Sequence, residues 1–516
     1  MSRILAVGLG LVILFMMGAC NADQGDRGRE PVLESVDCPA EVDITFLEPP
    51  ECHVLVVPAD RSDPEGGSVR LLVAKVLALG KEPSQATGTG GLHNIGDPLA
   101  INGNMQTGVT RSGGIGVFAE LRGAGPHVSP SLRCPEISAL DTRGPAAPTG
   151  DPQLTADFVD AVRACGERLR AQGVDPAAFD VTQTAEDIED LRRAFDVDHW
   201  DSIGSEGTAS RYLFQYMRMH PTSIAVPGVN IDSPWFPEID DVTGGVLGTR
   251  SALREFFDAC KSDPTCDDHF PDLEEEWDLA LEHLAAEPIQ ETYHDPDRGD
   301  IEVLIDAGKL LRVARFALGG DGPKHLTELP RMITAAAKGE ATTELLKIVA
   351  SDSIFCAGYR PLCEGQQGFA HGVFLTTLCR DQVPVMDRGA LADAIEGDPV
   401  YEEVFGKSPW LEACDAWDVE PPEESTAIPF HTDIPTLMLP GQFDSFSRPE
   451  WATERASHIS KAWSVEIPAV THNTLGFSPC ALAVRAEWSL DPTSAPDPTL
   501  CASTPPLQFI ETSPDR

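Results

Sequence analysis

Basic side chains are scarce in this chain, with 38 Lys and Arg against 82 Asp and Glu and a formal net charge of −44 at pH 7. A field of that sign repels phosphate backbones and anionic headgroups, which excludes nucleic-acid partners and electrostatic docking on a membrane. The acids are spread along the sequence, as on a solvated acidic surface, and do not collect in a tail. Metal-ligand patterns are missing too. There is no C-x-x-C pair and no pair of histidines at ligand spacing, so neither a metal nor another cofactor is expected. No internal repeat recurs.

Long apolar runs are nearly absent. The one at the start, Ile4 to Met17, is too short to span a bilayer comfortably. It follows Arg3 and precedes Gly18, Ala19 and Cys20, the layout of a secretory signal. The stretch "MGAC" resembles a bacterial lipobox, which implies cleavage before Cys20 and lipid on its sulfur. Residues 1–19 are then the signal and 20–36 a polar tether. The expectation is an exported protein of the bacterial cell envelope, facing the periplasm or the cell surface, that touches the membrane through this lipid alone.

Setting Cys20 aside leaves twelve of the 13 cysteines, an even number in an exported chain, and disulfides are the default reading. Spacing suggests local pairs: Cys38 with Cys52, Cys134 with Cys165, Cys260 with Cys266, Cys356 with Cys363, Cys379 with Cys414 and Cys480 with Cys501. Spacing alone leaves the connectivity open.

Two alternating runs flank "DPEGG" between Glu51 and Leu79 and predict a hairpin. The glycine-rich stretch from Gly88 to Asn104 predicts a loop. A buried strand is expected over Ile115–Leu121, then two amphipathic helices, the second opened by a capping box of Thr184 and Asp187. Strands alternating with helices argue for an α/β fold with a mostly parallel sheet. After Trp235 amphipathic helices dominate, and strand texture returns only at "IPTLMLPGQFD" and "AWSVEIPAVTH". The expected organisation is a core over 37–235, an inserted helical cap over 236–430, and the rest of the core over 431–516.

Asp198 to Ser210 reads "DHWDSIGSEGTAS", a strand running into a helix through a serine between small residues. A serine hydroxyl attacks only when a histidine takes its proton and a carboxylate holds that histidine's tautomer. The chain supplies Ser205, Asp444 and His472 in that order, the latter two just past strand-like runs. Serine, acid, histidine is the chain order of α/β-hydrolases.

Seven stretches carry a closer resemblance, among them "VPADRSDPEGGSVRLLVAKVLA", "LRGAGPHVSPSLRCPE", "TAEDIEDLRRAFDVDHWDSIGSEGT", "IPTLMLPGQFDSFSRPEWA" and "THNTLGFSPC". The chain resembles the secreted α/β-hydrolases with a TAP-like C-terminal region, the tripeptidyl aminopeptidase and proline iminopeptidase relatives of peptidase family S33. The resemblance implies an α/β-hydrolase fold, a catalytic triad of Ser205, Asp444 and His472, and disulfides at Cys134/Cys165, Cys260/Cys266 and Cys379/Cys414. It implies an aminopeptidase that releases residues or short peptides through an acyl-enzyme.

Two departures stand out. Ile203 occupies the position of the first glycine of G-x-S-x-G, while Gly207 keeps the second. The oxyanion loop of the family matches "NIGDPL" only at Asn94, Gly96 and Pro98. The expected oxyanion donors are the N–H groups of Glu206 and of Ile95 or Gly96. A free substrate amine would need a carboxylate near the cleft. Asp381 is the candidate, with Glu206 and Glu274–Glu276 as weaker ones. The substrate is expected to be a peptide or a small ester. The alternatives are a carboxylic-ester hydrolase and an envelope binding protein that keeps the fold without turnover.

Overall fold

Nine strands form one sheet in the computed structural model, in the order β1-β2-β3-β5-β4-β6-β7-β10-β11. The structure describes residues 31–39, 49–77, 87–92, 115–207, 209–320, 324–351, 370–429, 431–497 and 499–509, with the backbone alone over 87–92, 201–207 and 226–227. β1 (Val32–Val36), β2 (Glu51–Pro58) and β3 (Ser68–Leu77) pair antiparallel, as does β3 with β5 (Ile115–Ala119). From β5 onward every pairing is parallel, through β4 (Thr87–Leu92), β6 (His199–Gly207), β7 (Ile224–Pro234), β10 (Thr436–Leu439) and β11 (Ala462–Ser464). Apart from the added edge strand β1, this is the strand order of the α/β-hydrolase fold, and the chain adopts that fold.

Two expectations at the sheet need correcting. Val32–Val36 lie in the segment read as tether, yet they pair along β2 from Val32 opposite Val56 to Val36 opposite Cys52. Gly88–Leu92 lie in the stretch read as loop, yet with Thr87 they form β4 in the middle of the parallel sheet. Glycine scores poorly as a strand former because it has no side chain to pack, so "TGTGGL" carried no strand signal. The cap of helix Val181–Ala194 is also displaced: Asp180 accepts from Gln183 N–H. Asp187, read as the capping-box acid, instead receives Arg122 and Arg61. Burial of those charges selected that role.

The first apolar cluster joins one face of the sheet to helices Pro152–Ala171, Val181–Ala194 and Ala209–Met219, while Leu437 and Leu439 on the opposite face pack with helix Pro479–Trp488. A second cluster gathers helices Asp241–Ser262, Leu273–Ala286, Ala307–Gly319, Lys324–Ala337 and Thr343–Ser351. It includes a hairpin, β8 (Ile289–Asp295) and β9 (Gly299–Ile305), that helical periodicity did not announce. The inserted segment divides between the clusters. Leu391, Tyr401 and Phe405 join the second, but Val373, Leu375, Leu378, Ala413 and Trp417 pack on the first. Cys379–Cys414 fastens that latter portion.

Four further disulfides match the expected pairs: Cys38–Cys52, Cys134–Cys165, Cys260–Cys266 and Cys480–Cys501. Cys356 and Cys363 lie outside the described residues, as does Cys20. Cys134, Glu136 and Cys165 lie close together, but a disulfide ties up the two sulfurs, and the trio is no metal centre. Among the described residues no helix is long and apolar enough to cross a membrane.

Candidate active site

Parallel strands deliver their C-terminal ends to one edge of the sheet, where ligands of open α/β sheets bind. Three adjacent strands meet there. Ser205 of β6 is the register partner of Ile231 in β7, and Ile231 is that of Met438 in β10. β10 leads through Gly441 to Asp444. His472 follows β11 and the bridge between Gly441 and Ile467. Neighbouring strands lie about 4.8 Å apart, so the serine strand and the acid strand stand roughly 10 Å apart with β7 between.

The histidine loop is fixed onto that middle strand. Asp232, at the end of β7, accepts from the N–H and Oγ1 of Thr474 at 2.8 and 2.7 Å and from the N–H of Leu475 at 2.9 Å. Ser233 Oγ accepts from Asn473 N–H at 3.0 Å. Ser233, Ala469 and Asn473 all have positive φ, 48°, 60° and 59°. Such backbone costs on the order of 1 kcal/mol per residue and persists where neighbours over-determine it. Burial pushes the Asp232 carboxyl up, against its hydrogen bonds and the nearby His472. Asp232 is a further candidate site residue, absent from the sequence-based set. Its signal, an aspartate ending the strand-like run "VNID", is the same one that marked Asp444.

Asp444 is fully buried, and its Oδ2 lies 2.8 Å from His472 Nδ1. An ionised carboxylate only accepts, so the ring donates from Nδ1 and keeps its basic lone pair on Nε2. The other oxygen, Oδ1, accepts from Phe446 N–H at 2.8 Å, which fixes the carboxylate plane. Phe446 also packs perpendicular to the imidazole, 5.9 Å between centroids at 89°. Gly441 is required here: a Cβ would stand 2.0 Å from the carbonyl oxygen of Thr471. Gly248, in helix Asp241–Ser262, meets the same limit against the carbonyl of Ser445 at 2.1 Å. The inserted helices therefore rest directly on the acid loop. Ser445 N–H donates to Leu318 O, and Thr471 Oγ1 donates to Gly320 O at 2.7 Å.

Ser205 and Glu206 are described through their backbone. β6 runs on through both to Gly207, with Glu206 paired to Asp232 and a register shift before Gly207. The register also bears on Ile203. Its partner on β4 is Gly90, and Gly91 faces Gly204. The glycine missing from the serine strand is thus supplied by the strand beside it. Ile95 and Gly96 lie outside the described residues.

Asp381 does not meet this group in any described contact. It is buried in the helical turn Thr377–Gln382, with Oδ1 accepting from Thr426 Oγ1 at 3.0 Å. Burial, with Asp180 beside it, pushes its carboxyl up to about 7. A shallow cleft, open to solvent on one side, lies instead beside Phe446, with enclosed room for about one water molecule. Trp235, Asp240, Asp241, Arg315 and Phe446 are among its walls.

The comparisons with known proteins came out as follows. A family model described as TAP-like protein matches residues 398–501, which include Asp444 and His472. No curated protein matches the chain. Solved structures that align with it include a proline iminopeptidase from Mycobacterium smegmatis, 12% identical, covering 85% of this chain and 98% of that one with a TM-score of 0.37. A probable hydrolytic enzyme from Pseudomonas aeruginosa PAO1 is 11% identical over 87% and 96% at 0.36, and an esterase from Thermogutta terrifontis is 11% identical over 83% and 96% at 0.32. At such scores the fold assignment rests on strand order.

Proposed function

We infer that the protein is a serine hydrolase working through an acyl-enzyme, with Ser205 as nucleophile, His472 as general base and Asp444 as the acid that orients it. The observation that carries this reading is the buried Asp444–His472 pair, held at the sheet edge two strands from Ser205. In the first step His472 Nε2 takes the Ser205 proton as the oxygen attacks the carbonyl carbon. It then returns that proton to the leaving group, and water repeats the cycle on the acyl-enzyme. The Glu206 N–H, with one from Ile95 or Gly96, would receive the developing oxyanion.

The resemblance to tripeptidyl aminopeptidases favours amide substrates with a free amino end, handled by an exported protein anchored through Cys20. Ester hydrolysis is the second reading, and one observation favours it. Both carboxylates of the cleft are occupied: Asp240 caps helix Asp241–Ser262, and Asp241 binds Arg211 and Gln382. Asp381, the residue expected to hold the amine, is buried away from the cleft walls.

Fluorophosphonate labelling tests the shared chemistry. The expected result is an adduct on Ser205, located by mass spectrometry, that disappears in His472→Ala. Absence of label under conditions that mark a control hydrolase would reject turnover in favour of a binding protein.

A further inference from the structure

Several enclosed arginines in this protein carry carboxylates. Arg122 and Arg61 meet Asp187, and Arg211 meets Asp241. Arg315 differs. It projects from helix Ala307–Gly319 into the wall of the cleft beside the active site. Its guanidinium lies over the ring of Phe446 at 4.5 Å and within 5.8 Å of Phe405. Nε is buried without a hydrogen-bond partner; among the described residues no carboxylate reaches ion-pair distance, although Asp241 in the same wall and Asp444 beyond it act on the charge through space. Protein surrounds it closely enough for burial to pull its pKa down to about 10, yet the side chain keeps some accessible surface, since one side faces the cleft.

An arginine in such a place is costly. Aromatic faces offset part of the cost but leave the planar fork of N–H donors unused. That fork matches a carboxylate in two-point geometry. Phe446 sits between the two functions, with its face to Arg315 and its ring perpendicular to that of His472. The guanidinium is thus no farther from the imidazole than those two centroid spans laid end to end, 4.5 and 5.9 Å. Contacts at both ends take up part of that span, and a linker of two to four bonds, at roughly 1.5 Å per bond, fills the rest.

We propose that this cleft is a carboxylate subsite, in which Arg315 receives a free acid that the substrate carries a few bonds from its scissile carbonyl. The proposal rests on the acyl-transfer reading for its meaning in catalysis, but the subsite can be measured without turnover.

The test is calorimetric titration of the full chain with glutarate and with neutral glutaramide. Glutarate is expected to bind about 10- to 100-fold more tightly. That preference should vanish in Arg315→Gln and return in part in Arg315→Lys, which keeps the charge and loses the fork. Equal binding of the two probes by the unmodified chain would overturn the proposal, as would a preference that survives Arg315→Gln. If that variant does not fold, the unmodified chain and Arg315→Lys still decide. Turnover separates this idea from the one beneath it. The ratio of kcat/KM for mono-4-nitrophenyl glutarate over 4-nitrophenyl butyrate should exceed ten and collapse in Arg315→Gln. Hydrolysis without acid preference would remove the subsite and keep the hydrolase. Glutarate binding that follows Arg315 without any hydrolysis would do the reverse.

Discussion

The two halves of the site are held by different means. His472 and Asp444 sit on loops fixed by side-chain bonds: Asp232 and Ser233 under one, Phe446 N–H on the other, with inserted helices resting on both. Ser205 sits on a strand fixed by backbone pairing to β7, beside the glycines of β4. Loops need specific partners to hold one geometry, whereas a central strand is located by its ladder whatever side chains it bears. The base side should therefore be intolerant of single polar substitutions. The serine strand should tolerate Ile203 so long as its neighbour stays small.

Substitutions can break that comparison. His472→Ala and Asp444→Asn should each lower kcat by about 10³–10⁴-fold, read as initial rates on a chromogenic ester, since one removes the base and the other its tautomer. Loss of less than tenfold in either would mean that the pair is structural. Asp232→Ala leaves two buried N–H groups and a hydroxyl without their acceptor. It should cost about 2–4 kcal/mol in thermal unfolding together with a fall in kcat. Asp232→Asn, which still accepts, should recover most of the stability. A stable Asp232→Ala with full activity would show that the clamp on the histidine loop is dispensable.

The disulfides extend the contrast to the two apolar clusters. Cys379–Cys414 closes 35 residues of sequence separation on the sheet cluster, and Cys260–Cys266 closes 6 in the second. Chain entropy predicts losses of about 4 and about 2 kcal/mol when each is replaced by serines, measured by denaturant unfolding. The reverse order would mean that strain, not loop closure, governs them. The smallest effect is expected at Ile203→Gly. Restoring the familiar glycine should move kcat less than threefold, because Gly90 already stands opposite. Gly90→Val should cost more than Ile203→Gly, and a large rate gain in Ile203→Gly would show Ile203 to be a true impairment.

Much of this architecture is legible in the amino-acid sequence. Asp444 and His472 were readable because each follows a β-rich run, and the chain order Ser, acid, His is one of few that the fold allows. Cysteine spacing anticipated five bridges, since short loops bring partners together cheaply. β4 stayed hidden because glycines carry no periodicity. Asp381 was singled out as a carboxylate that could meet a free amine, and only tertiary packing shows it buried. Arg315 could not be singled out at all. Its meaning lies in what fails to face it, and sequence records neighbours along the chain, not absences across a cleft.

The glycine contacts between helix Asp241–Ser262 and the acid loop have a mechanical consequence. In many enzymes a helical cover swings open and shut while the reactive groups stay put. Here Gly248 lies against Ser445, Leu318 receives the Ser445 N–H, and Gly320 receives Thr471. Lifting these helices would pull on the supports of Asp444 and His472. The roof and the loops that carry Asp444 and His472 are thus joined as one frame.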